Sequence, residues 1–164
     1  MSDEGPERTE DGRHVVVDGR RWRATDPAIP EALRAELVAE LMAARRAVRT
    51  DPGAARPRVQ DAKVALGERG EPWWAPPTDD GRRDRVAAAV RTLARHRAPD
   101  GTTCPSDAAR AVGGEGWRDL MDLTREVVRD LARAGEVEVT QKGEPLDPDA
   151  PWRGPVRVRA TGEV

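Results

Sequence analysis

The chain has 164 residues, contains no Phe or Tyr, and carries a formal charge of −2 with 35% charged side chains. Val, Leu and Ile fill 17, 9 and 1 positions, about a sixth of the chain and below the rough one-fifth level associated with disorder. Near-balanced charge, together with 25 Ala and 5 Trp in periodic segments, excludes a wholly disordered chain and points to Ala-rich helical packing.

Residues 1–12 hold five acids, one Arg and no apolar run, and are expected to form a disordered acidic tail. Residues 13–74 read as a β-hairpin plus helices. Val15–Val17 and Arg20–Ala24 flank Asp18-Gly19, a pair suited to the positive φ of a two-residue hairpin turn. Pro27 and Pro30 set the approach to a helix in which Leu33, Leu37, Leu41, Ala44 and Val48 recur at three- and four-residue steps. Asp51-Pro52-Gly53 is expected to stop it, with a shorter helix from Arg58 to Leu66 ending at Gly67. Trp73-Trp74 are expected to fold back and join Trp22 in a core poor in large side chains. Exposed, the same tandem would suit stacking on single-stranded bases or anchoring a partner.

Residues 75–80, acidic and proline-bearing, read as a linker. In residues 81–162, Asp80 suits the cap of a helix running to Arg97, with Val86, Ala89, Val90 and Leu93 inward. Pro105 suits the first position of a short second helix ending at Val112. After Gly113-Gly114-Glu115-Gly116, a long helix is expected from Trp117 to Ala134, stopped by Gly135. Residues 136–140 and 155–159 alternate as half-buried strands do. The expected fold class is α+β: a small β-hairpin-plus-helices module followed by a winged helix-turn-helix domain.

The stretches CPSDAARAVGG, WRDLMDLTREVVRDLARAGEVEVTQKGEPLDP and GPVRVR include Trp117-Arg118, Arg125, Leu131, Gly135, Thr140-Gln141, Gly143 and Gly154-Pro155. On these residues the chain resembles, over roughly 83–160, a bacterial family of unknown function with a winged-helix-like domain. The first module, through VDGRRWRATDPAIP, LMAARRAVR and AKVALGERGEPWW, is similar to short bacterial proteins sometimes called "biopolymer transporter Tol". Neither resemblance implies an activity or functional residues.

In a winged helix-turn-helix the third helix enters the major groove and the wing touches backbone or minor groove. That geometry makes Arg118, Arg125 and Arg129, with Lys142 on the wing, candidate nucleic-acid contacts. Arg82 and Arg83 join them from the basic helix that opens the domain. Against this, Asp119, Asp122, Glu126 and Asp130 run beside the arginine stripe and would repel phosphate. The bland alternative is a solvated, self-paired helix face. On the wing strands, Glu136 and Glu138 are expected across from Arg157 and Arg159. A second basic run, Arg45, Arg46, Arg49, Arg56 and Arg58, could meet nucleic acid, an acidic partner, or the chain's own acidic segments.

His14, His96 and the single Cys104 lack metal-ligand spacing, so no metal is expected. The glycine run at 113–116 lacks the Lys-Ser/Thr of a phosphate loop. No catalytic constellation and no cofactor site is expected. One cysteine excludes an internal disulfide framework. No apolar run approaches the ~20 residues of a membrane span, and no secretory signal opens the chain, so a cytoplasmic protein without a membrane partner is expected. The leading expectation is a non-enzymatic winged-helix protein of uncharacterised role, with duplex-DNA binding and an association with transcription suggested by fold analogy alone. The alternative is an adaptor that uses the winged helix to dock another protein.

Overall fold

The computed structural model describes residues 5–161, a mixture of helices and two small antiparallel sheets. In the first sheet, β1 (Glu7–Arg8) pairs with β2 (His14–Val17), and β2 with β3 (Arg20–Arg23). Asp18 and Gly19 have φ of 50° and 76°, as the expected hairpin turn requires. The acidic segment is not disordered as expected from Glu7 onward. Glu7 lies opposite Val16, and the Thr9 amide donates to the His14 carbonyl at 3.0 Å. This pairing satisfies backbone groups rather than burying side chains, so no apolar pattern announces it. Residues 1–4 of that segment lie outside the described residues.

Helix α1 (Glu31–Ala47) buries Leu33, Leu37, Leu41 and Ala44. Helix α2 (Pro52–Ala65) starts six residues before the expected Arg58. The Asp51 carboxylate accepts the Ala54 amide at 3.2 Å, and Pro52 takes the first helical position. The Asp-Pro pair that reads as a stop is therefore the start of the next helix.

Helix α3 (Asp79–Arg97) is capped by Thr78, whose Oγ1 accepts the Gly81 amide at 3.0 Å; Asp80 is already inside the helix. Glu71 completes this end by accepting the Thr78 amide at 3.0 Å. Helix α4 (Pro105–Gly113) follows. The single long helix expected over 117–134 is two pieces: a 3-10 helix, Gly114–Leu120, and α5 (Met121–Arg133). The junction lies at Leu120, whose φ and ψ of −92° and −5° close a tight 3-10 turn just before α5, while Gly114, at φ 57°, ends α4.

The second sheet has the order β5-β4-β6, with β4 (Val137–Gln141), β5 (Glu144–Pro145) and β6 (Arg157–Ala160). Val139 faces Val158 and Glu138 faces Arg159, as the alternation implies. Between α3 and α4, Thr103 bridges to Val158, its amide donating at 2.8 Å and its carbonyl accepting at 2.7 Å.

The core does not divide at residues 75–80. Ile29, Leu33, Leu37, Leu41 and Leu66 belong to the same cluster as Val86, Leu93, Val128, Val139 and Val158. The reason lies in α3, where Ala88, Ala89 and Val90 are consecutive buried residues. A helix apolar on adjacent faces must be covered from several sides, and α1, α2, α4, α5 and β6 all pack on it.

Tryptophan does not anchor this core, contrary to the expectation from composition. Trp22 is 43% exposed. Trp73 and Trp74 do fold back, but only half-buried: Trp73 Nε1–H donates to the Ala24 carbonyl at 2.9 Å and stands edge-on to Trp74. Trp117 is also half-buried, with Arg110 and Arg118 each 4.6 Å from its ring. Ala, Val and Leu fill the interior, and the indoles close its edges.

Candidate nucleic-acid interface

The arginine stripe of α5 is present, but it grips the loop between β5 and β6. Arg129 donates to the carbonyls of Pro148 and Ala150, both at 2.7 Å, while its guanidinium lies 3.9 Å from the Trp152 ring. Arg133 reaches Asp149 at 2.6 Å and Asp130 at 3.2 Å. Arg125 donates to the Gly154 carbonyl at 3.3 Å. Gln141 holds the same loop from the strand, donating to Arg153 and Pro155 carbonyls at 2.5 and 3.1 Å. The loop thus lies along the face expected to enter a major groove.

The other candidates scatter. Arg83 is ion-paired to Asp79 at 3.2 Å and to Glu126 at 2.8 Å, which raises its guanidinium further above its ordinary value. Arg82 borders a cleft of about 1160 Å³ between the Trp73-Trp74 loop and the 3-10 helix. Arg118 stacks on Trp117. Lys142 is exposed in the β4–β5 turn at φ 52°. Of the six, Arg83 alone is ion-paired among the described residues; Arg125 and Arg129 donate to backbone carbonyls, and Arg118, Lys142 and Arg82 have neither kind of partner. On the wing strands, Glu138 pairs with Arg159, whereas Glu136 turns to Arg91 at 3.1 Å.

The basic helix α3 is neutralised from within. Arg85 meets Asp26 at 2.9 Å, Arg95 meets Asp61 at 2.6 Å, and Arg91 reaches Asp61 at 3.5 Å. Arg97 binds both oxygens of Glu36 at 2.8 Å and also meets Asp107 at 3.0 Å. Its hydrogen bonds to Arg97 hold Glu36 below the ordinary carboxylate range, against the opposing effect of burial. These pairs tie α3 to α1, α2 and the β3–α1 loop. They also consume most of the acidic groups on the inner side of α1 and α2.

The outer side of that helix pair is left basic. A groove of about 670 Å³ runs between α1 and α2, with Arg45, Arg56 and Arg69 at its edges and Val48, Pro57 and Val59 among its walls. Lys63 adjoins it: burial, then Arg69 and Arg45, push its ammonium below its ordinary value. Lys63 also lies 5.7 Å from the ring of exposed Trp22, which carries Arg20 at 4.8 Å. None of Arg20, Arg45, Arg56, Lys63 and Arg69 is ion-paired among the described residues. Arg69 donates to the neutral Gln60 at 2.6 Å. The carboxylate among them, Glu68, is half-buried, and burial raises it above the usual range while Thr25 donates to it at 3.3 Å. Charge in the run 45–58 is legible in the sequence, but Arg58 proves to be bound to Glu40 at 2.8 Å. Lys63, Arg69 and Trp22 join only through tertiary structure. The available signal is the 56, 60, 63 spacing, one face of a helix once α2 is started at Pro52.

Residues 83–161 match the model of a protein family of unknown function, DUF3253. This stretch of the chain is similar to that family. The match begins inside α3 and ends just past β6, so the basic groove lies outside it. No curated protein matches the chain. Among the described residues, no three His, Cys, Asp or Glu side chains are grouped so as to hold a metal ion, and no helix is long and apolar enough to cross a membrane.

Proposed function

We propose that this chain is a non-enzymatic, nucleic-acid-associated protein whose second half is a winged helix-turn-helix used as a scaffold. In this reading the contact surface is the outer side of α1 and α2. Support for the winged helix comes from element order: α3, the Thr103–Val158 bridge, α4, the 3-10 helix with α5, then β4 and β6. A short strand between the first two helices that pairs with the last strand suits that fold.

One observation carries the functional reading: cations are segregated by partner. Arg83, Arg125, Arg129 and Arg133 are all held by the protein's own acceptors. Arg45, Arg56 and Lys63 make no ion pair and no side-chain hydrogen bond among the described residues, Arg69 donates only to the neutral Gln60, and the carboxylate near them is the half-buried Glu68. Polyanion affinity rests on cations that can exchange counterions for phosphates, and the second set can do so. A protein adaptor would call for an exposed apolar patch near α5 and the wing. Among the described residues the large exposed apolar side chains are Val17, Trp22 and Met42, all in the first half.

The test is fluorescence anisotropy of the full chain with labelled random-sequence nucleic acid, duplex and single-stranded, over about 50 to 200 mM salt. Affinity is expected to fall steeply with salt. It should be lost in the Arg45→Glu/Arg56→Glu variant and kept in Arg118→Glu/Lys142→Glu. No binding of either form at the lowest salt, or the opposite pattern of losses, overturns the proposal.

A further inference from the structure

Phosphate attraction alone does not choose between a duplex and a single strand, so the choice falls to the shape and chemistry around the cations. Beside the groove stands Trp22, 43% exposed on β3. The interior is filled without this indole, and the part of the ring not covered by the chain faces solvent among cations. Its two cationic neighbours, Arg20 at 4.8 Å and Lys63 at 5.7 Å from the ring, are flexible side chains that can move toward a phosphate. The ring they uncover is a surface on which a base can stack. The groove edges Arg45, Arg56 and Arg69 continue the path, and Val48, Pro57 and Val59 give it an apolar lining.

We infer that the groove between α1 and α2, together with Trp22, binds single-stranded nucleic acid, with phosphates along the arginines and one base stacked on the indole. This rests on the polyanion reading above and sharpens it. A duplex keeps its bases stacked on each other and offers none to Trp22, whereas an unpaired strand presents both groups at once. A run of Asp and Glu would satisfy the arginines but brings no aromatic face to stack on the ring.

The experiment uses the full chain and labelled homopolymers of about 12 nucleotides, near the middle of usual single-strand site sizes. One arm uses oligo-dT and the other oligo-U, which separates DNA from RNA as the source. Both are expected to bind more tightly than a duplex of equal length. Trp22→Leu, which keeps apolar bulk without the aromatic face, should weaken single-strand binding by about ten-fold, the loss of one base stack. Trp22→Phe should retain most of the affinity. Because either substitution could disturb the hairpin, ultraviolet cross-linking of halogenated oligo-dT to the unaltered protein gives a second readout, with the adduct expected on Trp22. Equal affinity for duplex and single strand with Trp22→Leu unchanged overturns this inference but leaves the polyanion reading standing. Displacement of the oligonucleotide by polyglutamate as readily as by unlabelled oligo-dT of equal charge also overturns it, in favour of an acidic protein partner. Loss of all binding in unaltered protein removes both.

Discussion

Arginines on the two sides of the α1–α2 pair live under opposite electrostatic conditions. On the inner side Arg85, Arg95 and Arg97 of α3 each meet a carboxylate within 3.0 Å. On the outer side Arg45, Arg56 and Arg69 meet none among the described residues. The same residue type is structural in one place and available in the other, and local sequence does not distinguish them. The deciding factor is where the acids go: Glu36, Glu40 and Asp61 sit on helix faces turned to the interior, so the groove side keeps its cations with Glu68 as the carboxylate among them. A chain of net charge −2 can therefore present a basic surface.

The largest expected effect comes from breaking the inner side. Arg97→Ala takes the guanidinium from Glu36 and Asp107, both partly buried, and leaves Glu36 only His96 at 3.8 Å. A loss of about 3 kcal/mol is expected, between exposed and buried pairs. In thermal denaturation that corresponds to about 6–12 °C in Tm for a chain of this size, with no change in polyanion affinity.

Acid titration probes the same contacts next. The Arg97 hydrogen bonds hold Glu36 below its ordinary value. Burial pushes Asp107 upward, but the Cys104 amide, the Thr103 hydroxyl and Arg97 bring it below its ordinary value overall. Groups depressed in the folded state contribute stability that is present above the ordinary carboxylate range and lost as pH falls through the folded values. Urea midpoints should therefore drop as pH is lowered through and below the ordinary carboxylate range. The drop should be shallower in Arg97→Ala.

Arg129→Ala comes third. It releases the Pro148 and Ala150 carbonyls and uncovers Trp152, for about 1–2 kcal/mol. Faster amide exchange confined to residues 146–155 would show that the clamp is local; a global loss would show that the wing loop is part of the core. The smallest stability change belongs to the outer side. Arg45→Ala and Arg56→Ala should alter stability by no more than about 0.5 kcal/mol, and a larger loss would show that these side chains are structural after all.

Much of the fold was legible wherever a local period sets it. The Asp18-Gly19 turn, the leucine stripe of α1 and the alternation of β4 and β6 are read directly. The start of α2 was not, because Asp51-Pro52 is chemically both a stop and a cap. The role of α3 was missed because a run of alanines looks amphipathic until partners cover it on several sides. The candidate contacts fared worst. Whether Arg129 faces DNA or its own chain depends on the path of the loop from 146 to 156, which no side-chain pattern encodes. Charge in the 45–58 run was visible, but its isolation from carboxylates is a property of how α3 packs.

The scarcity of lysine gives these surfaces separate chemical addresses. Lys63 borders the basic groove and Lys142 stands exposed at the tip of the β4–β5 turn; the remaining basic side chains are arginines. An amine-acylating reagent thus has one target on each rival surface besides the terminal amine. Burial and the neighbouring Arg69 and Arg45 increase the neutral, nucleophilic fraction of Lys63 at mild pH. Cleavage after arginine, which acylation does not block, places the two positions in different fragments, so a single footprint made with and without a bound polyanion identifies the surface that is covered.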